Sequence, residues 1–125
     1  MKKITLILLF ISSLISENLD IQKAVAIGIF NENGVGENIQ HLTTTKNDYN
    51  GTCFSKIVIF GNLNNSSVKV KIGNSRGHFI KASPIYNDKK LLIGKEITFK
   101  HYNINKGYFE VKIDNKLYDS KVFIK

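Results

Sequence analysis

The feature that most constrains this chain is a repeated alternation between short apolar runs and clusters of turn-forming residues. From residue 21 onward, runs rich in Val, Ile and Phe are interrupted by Asn, Gly, Ser and Asp at intervals of about 8–12 residues. This part of the chain lacks the 3,4 spacing of apolar residues that an amphipathic helix requires. The pattern predicts an all-β fold, a single antiparallel β-sandwich or small barrel of about seven or eight strands. It does not separate those two architectures.

The predicted strands differ in how much of their surface they bury. Residues 57–60 are uninterrupted Ile, Val, Ile and Phe, which predicts burial on both faces of their strand. In residues 68–72, Val and Ile alternate with Lys69 and Lys71, which is typical of a strand with one buried face. Residues 91–93 are either a short strand or part of a connection. In all, the predicted strands cover residues 23–30, 38–44, 53–60, 68–72, 78–82, 96–102, 108–113 and 117–124.

The first sixteen residues have the layout of a secretory signal peptide. Lys2 and Lys3 precede a mostly apolar run at residues 4–15, and the polar residues 16–18 follow. A membrane-spanning helix needs about 20 apolar residues, so this run favours a cleaved leader, with an uncleaved anchor as the alternative. We expect residues 1–16 to be the signal peptide and residues 17–125 to form one all-β domain of a secreted or extracytoplasmic protein.

The chain is basic, and its charge is unevenly distributed. Its 18 Lys and Arg residues outnumber its 10 Asp and Glu residues, and loss of Lys2 and Lys3 with the leader would leave a net charge of +6. No acidic residue occurs from residue 49 to residue 87. This excess of cations predicts an anionic partner, either an anionic polysaccharide or a membrane surface, with nucleic acid less favoured. The segment contains Lys56, Lys69, Lys71, Arg76 and Lys81.

Residues 68–82 of this segment predict a β-hairpin. Gly73 and Gly77 bound a turn-forming stretch, which suggests a five-residue loop at residues 73–77. Such a loop would fix the register of both strands. It would put Ile72 opposite His78, Val70 opposite Ile80 and Val68 opposite Ala82 on the core face, and Lys69 opposite Lys81 and Lys71 opposite Phe79 on the outer face.

Lysines that face each other across a sheet destabilise it by a few tenths to about 1 kcal/mol. A bound anion would relieve that repulsion; an acidic residue from another strand is the alternative, as is an ordinary solvated lysine face that deters aggregation. The sequence therefore predicts a binding site for an anionic surface. Its residues are Lys69, Lys71, Arg76, Phe79 and Lys81.

The residues that carry catalytic or metal chemistry form no motif. Cys53 is the only cysteine, so no intramolecular disulfide exists, and its position in the most apolar strand predicts a buried, inert thiol. An intermolecular disulfide or a reactive thiol is the alternative. His41, His78 and His101 are too far apart in sequence for a local metal motif. We expect no catalytic residue, no metal site and no cofactor.

Several positions between residues 26 and 73 carry a resemblance to a known family. They are Gly28, residues 36–38, residues 43–45, Gly51 and residues 56–61. These positions resemble the YolA-like proteins, a family of small exported bacterial proteins whose function is not known. The resemblance implies bacterial export and a β domain, and it transfers no catalytic residue. It offers no counterpart for the thiol of Cys53.

Three functional hypotheses follow from these observations. The first is a non-enzymatic extracellular binding module whose basic face binds anionic polymers or surfaces. The second is a small secreted inhibitor or effector that binds another protein through its loops, with residues 43–51 as the candidate segment. The third is a small hydrolase, which would need a pocket that joins Cys53 to a histidine.

Overall fold

A computed structural model of the protein describes residues 21–63 and 65–125. The predicted signal peptide lies outside the described residues. Within them the chain is all-β, as predicted, and contains no helix, so no helix of the described part is long and apolar enough to cross a membrane. The strands pair antiparallel throughout, and their sheet curls into a half-barrel.

Eight strands form the main path of the sheet, in the order β2-β1-β3-β6-β5-β4-β7-β8, and a short ninth strand pairs with β7. The inner face of the curl carries the hydrophobic core, to which β3 contributes Ile57 and Ile59. Val58, on the other face of β3, is also buried, which confirms the prediction for this run. The strands are β1 Ile21–Asn31, β2 Gly36–Asn38, β3 Gly51–Gly61, β4 Val68–Ile72, β5 Ser75–Tyr86, β6 Leu92–Ile104, β7 Gly107–Ile113, β8 Lys116–Asp119 and β9 Phe123–Ile124.

The prediction of a five-residue loop at residues 73–77, between β4 and β5, is wrong. Ile72 lies opposite Ser75, so the turn contains only Gly73 and Asn74. Gly73 has a φ of 57°, which a glycine adopts readily and which a two-residue type II′ turn requires at its first central position. Gly77, which suggested the end of a longer loop, lies inside β5 instead. A side chain there would collide with Val70.

The short turn changes the register of the whole hairpin. β4 pairs with β5 only through Lys71–Arg76 and Ile72–Ser75, and from Gly77 onward β5 pairs with β6. The predicted pairing of Lys69 with Lys81 is therefore wrong, as is that of Lys71 with Phe79. The residues predicted on the core face, His78, Ile80 and Ala82, are exposed instead. Ile80 occupies a register shift between Phe79 and Lys81, where it has no partner on β6.

Three other boundaries differ from the prediction. The prediction of a strand at residues 38–44 is wrong, because β2 ends at Asn38 and the residues after it form turns. The undecided residues 91–93 overlap the start of β6. The last predicted strand is divided into β8 and β9. At the end of β8, the carboxylate of Asp119 accepts a hydrogen bond from the Ala26 backbone amide of β1 at 3.0 Å. That bond ties β8 to β1.

Candidate binding surface

Three of the five predicted site residues meet on the outer face of the sheet. Val70 and Ile72 of β4 are buried, so the alternate residues Lys69 and Lys71 point outward. Across the ladder to β7, Lys69 lies opposite Lys112, and across the turn to β5, Lys71 lies opposite Arg76. All four cations are exposed. We call Lys69, Lys71, Arg76 and Lys112 the basic cluster.

One carboxylate accompanies these four cations. Glu110 lies opposite Lys71 on β7, and the Lys71 Nζ and Glu110 Oε1 atoms are 3.8 Å apart. Both side chains are partly exposed, so the pair contributes between zero and about 1 kcal/mol. Within the described residues, neither Lys69 nor Lys112 has an ion pair. An acidic residue from another strand therefore relieves the repulsion at Lys71, as the alternative to a bound anion proposed. Lys69 still faces a like charge.

The basic cluster borders a shallow depression of about 400 Å³. Two hairpin turns place an asparagine at its edge: Asn74 from the β4–β5 turn and Asn115 from the β7–β8 turn. In the second turn both Asp114 and Asn115 have positive φ, as a type I′ turn requires. The depression thus combines four cations with two carboxamides that donate and accept hydrogen bonds.

Phe79 and Lys81 do not belong to this cluster. Phe79 lies opposite Phe99 on the inner side of the curl, and the two rings make an edge-to-face contact at 6.4 Å. Its ring is 62% exposed, because β4 no longer pairs with β5 at that level. Lys81 is on the outer face but lies farther along β5, opposite Thr98. The predicted position of Phe79 beside the lysines of the outer face is therefore wrong.

A second group of lysines on the outer face is supported by aromatic rings. Phe30 of β1 and Phe54 of β3 stack at 5.3 Å, and Lys100 of β6 lies opposite Phe54. The Lys100 ammonium is 5.5 Å from the Phe54 ring centre and 5.1 Å from that of Tyr102. Lys56 is 5.7 Å from the centre of the Phe30 ring, and its Nζ is 3.7 Å from Glu96. Lys56 and Lys100 are the ring-backed lysines.

The structure brings Cys53 and His101 together in the interior. They are opposite each other on β3 and β6, and Ser55 Oγ lies 2.8 Å from His101 Nε2. All three are fully buried. Burial lowers the pKa of His101 to about 4 and raises the pKa of the Cys53 thiol to about 12, so both are uncharged at neutral pH. The predicted interior position of Cys53 is confirmed.

The hydrogen-bond donors and acceptors of this buried group satisfy one another. The Nδ1 atom of His101 faces the Ser75 carbonyl at 3.4 Å, so a proton on Nδ1 leaves Nε2 to accept a hydrogen bond from the Ser55 hydroxyl. Both ring nitrogens then have partners without solvent. Among residues 21–63 and 65–125, no three His, Cys, Asp or Glu side chains could hold a metal ion together.

The loop at residues 43–51, the candidate segment of the effector hypothesis, is bound to the body of the protein. The Glu37 carboxylate accepts hydrogen bonds from the Lys46 and Asn47 amides and from the Tyr49 hydroxyl. Burial opposes ionisation of Glu37, but these three donors outweigh it and lower its pKa. Thr45 and Tyr49 are buried, so only part of the predicted surface loop is exposed.

Four polar or charged residues of the depression were not in the predicted site: Lys112, Glu110, Asn74 and Asn115. The alternation in residues 108–113 does place Glu110 and Lys112 on an outer face, but it does not show which strand lies beside β7. That neighbour is β4, about forty residues earlier in the chain. Strand pairing over such a distance leaves no local signal in the sequence.

Comparison with known proteins adds no relative to this description. No family model, no curated protein and no solved structure matches the chain. The resemblance to the YolA-like proteins therefore stays a prediction.

Proposed function

We propose that this protein is a non-enzymatic exported module that binds an anionic polymer, with an acidic polysaccharide as the favoured class, through the basic cluster. The observation that carries the proposal is the register of the strands, which places Lys69 opposite Lys112 and Lys71 opposite Arg76, with Glu110 as the one carboxylate beside them among the described residues. Each such pairing of like charges destabilises a sheet by a few tenths to about 1 kcal/mol. A polyanion bound across the cluster would turn that repulsion into attraction.

The spacing of the cations suits a chain of anionic groups better than one small anion. Side chains on neighbouring strands are about 5 Å apart, and successive outward side chains on one strand are roughly 7 Å apart. The depression beneath them is shallow, and its two asparagine side chains can hydrogen-bond to hydroxyl or acid groups. An extended polymer would contact several cations at once.

The proposal also covers the location of the protein and its architecture. The charged, then apolar, then polar order of residues 1–18 supports a secreted or extracytoplasmic location. Of the two predicted architectures we favour the small barrel, because one continuous sheet curls round and the Asp119–Ala26 hydrogen bond ties β8 to β1.

Retention on immobilised polyanions tests the proposal. The variant K69Q/K112Q removes one like-charge pair of the cluster, and K23Q/K121Q removes the same charge from two exposed lysines outside it. We expect K69Q/K112Q to elute from dextran sulfate and polygalacturonate columns at clearly lower salt than K23Q/K121Q. Equal elution of the two variants would show that only net charge matters, and the cluster would lose its assigned role.

A further inference from the structure

The turn between β5 and β6 displays three large apolar side chains. Tyr86 and Leu92 lie directly opposite each other at the end of the hairpin, and Leu91 precedes Leu92 in the chain. Tyr86, Leu91 and Leu92 are each about 60% exposed. The largest exposed apolar patch of a soluble protein is often an interaction site, especially where polar residues surround it.

Cations surround these apolar side chains. Lys89 and Lys90 lie in the turn itself, and Lys95 follows on β6; all three are exposed. The same stretch, residues 86–95, contains a single acidic residue, Asp88, so its net charge is +2. We call Tyr86, Leu91 and Leu92 with Lys89, Lys90 and Lys95 the hairpin tip.

The turn is held in one conformation. The Asn87 side chain accepts hydrogen bonds from the amides of Lys89 and Leu91, at 2.9 and 3.0 Å, and the Asn87 amide donates to the Leu91 carbonyl at 3.0 Å. A rigid turn presents its side chains without a further loss of conformational entropy on binding.

Lys90 is in an unfavourable backbone conformation, with a φ of 62°. Four non-glycine residues of the described chain have positive φ, and the other three are Asn or Asp, which tolerate it well. Glycine or asparagine would adopt this φ at lower cost, so backbone geometry does not account for the lysine at this position.

We propose that the hairpin tip docks on an anionic lipid bilayer, with Tyr86, Leu91 and Leu92 at the level of the headgroups and the three lysines in contact with lipid phosphates. Apolar and aromatic side chains rimmed by lysines have the composition of interfacial membrane-binding surfaces. A second copy of the chain fits less well, because three side chains cover far less than the roughly 800 Å² per partner of a stable protein interface. This site is separate from the basic cluster.

Vesicle binding is measured on the chain that begins at Glu17, since the apolar run at residues 4–15 would itself enter lipid. Among the described residues, the core cluster runs from Ala24 to Ile124, so the chain that begins at Glu17 keeps all of that cluster. Vesicles of equimolar phosphatidylcholine and phosphatidylglycerol are compared with vesicles of phosphatidylcholine alone. The chain has no tryptophan, so Y86W provides a unique fluorescent reporter at the hairpin tip.

We expect L91S/L92S to weaken binding to the anionic vesicles by at least about tenfold. The control V35S/L117S, which changes two exposed apolar residues elsewhere, should leave it nearly unchanged. K89Q/K90N should weaken anionic binding by roughly tenfold or more, and K69Q/K112Q, with the same loss of charge, should weaken it much less. The tryptophan emission of the Y86W variant should shift to the blue on anionic vesicles.

Three results would overturn the proposal. One is equal binding by L91S/L92S and V35S/L117S. Another is an equal loss in K89Q/K90N and K69Q/K112Q, which would assign vesicle binding to net charge alone. The third is a concentration-dependent dimer in sedimentation equilibrium that L91S/L92S abolishes, which would identify a second copy as the occupant of the hairpin tip.

Discussion

The two lysine-rich regions on the outer face of the sheet are built in opposite ways. Lys100 lies over two aromatic rings, and Lys56 has a ring and a carboxylate within reach. In the basic cluster, Lys69 faces Lys112, and neither has an ion pair among the described residues. The same residue type on the same face of one sheet is therefore stabilised in one region and repelled in the other. Under the proposed function, the repelled lysines are the ones that an anion would bind.

The contrast has a physical origin in what lies across each ladder. The ring-backed lysines have Phe30 and Phe54 on neighbouring strands, and a cation over an aromatic face gains about 0.5–1 kcal/mol at an exposed site. The basic cluster has cations on three adjacent strands, β5, β4 and β7. A substitution that removes a lysine should therefore have opposite effects on stability in the two regions.

The largest effect should come from breaking the geometry of the basic cluster. In Gly77→Ala, the added methyl group would lie 3.0 Å from the His101 ring and from Phe99 Cβ, and it would collide with Val70. Overpacking of this kind typically costs about 1–3 kcal/mol, and three close neighbours place this substitution towards the upper end. Relief would require β5 to move away from the strands that position Arg76. Urea unfolding measures the change.

Gly28→Ala is the matched control for that substitution. Gly28 also lies within a strand, but its nearest neighbours would be 3.8 Å from the added methyl group. We expect its free energy of unfolding to change by less than about 1 kcal/mol. Similar losses in both variants would mean that close packing at Gly77 does not fix where β5 leaves β4.

A smaller change in stability should show whether the aromatic rings stabilise the ring-backed lysines. Lys100→Gln should lower the free energy of unfolding by about 1 kcal/mol, because the cation loses its contacts with Phe54 and Tyr102. Lys95→Gln, on the same strand but exposed, should change it by less than about 0.5 kcal/mol. If the two variants are equally stable, the rings contribute nothing to holding Lys100.

Much of the fold followed from local patterns, whereas the binding surface depended on contacts between distant strands. Alternation of apolar and polar residues predicted β4 and the outward direction of Lys69 and Lys71, and the Ile and Val run predicted the buried strand β3. The predicted register of the β4–β5 hairpin is wrong because it treats Gly77 as the end of a loop. A glycine that close packing requires within a strand cannot be distinguished in the sequence from a glycine in a turn.

The partners of the basic cluster had no local signal. Lys112 and Glu110 reach Lys69 and Lys71 through the pairing of β7 with β4. The sequence pattern puts Phe79 beside the lysines only if β5 stays paired with β4 along the whole hairpin. In the structure, β5 pairs with β6 from Gly77 onward. The point at which β5 leaves β4 therefore decides which side chains share a surface.

The most direct test of the central claim is a double-mutant cycle on Lys69 and Lys112, measured by urea unfolding at low salt with and without dextran sulfate. Without the polyanion, K69Q and K112Q should each be more stable than the parent by a few tenths of a kcal/mol, and K69Q/K112Q should gain little beyond either. With saturating dextran sulfate, the parent should be stabilised most, because the ligand binds the folded state that carries all four cations. A neutral or favourable coupling at low salt, or equal stabilisation of the parent and K69Q/K112Q by dextran sulfate, would contradict the account.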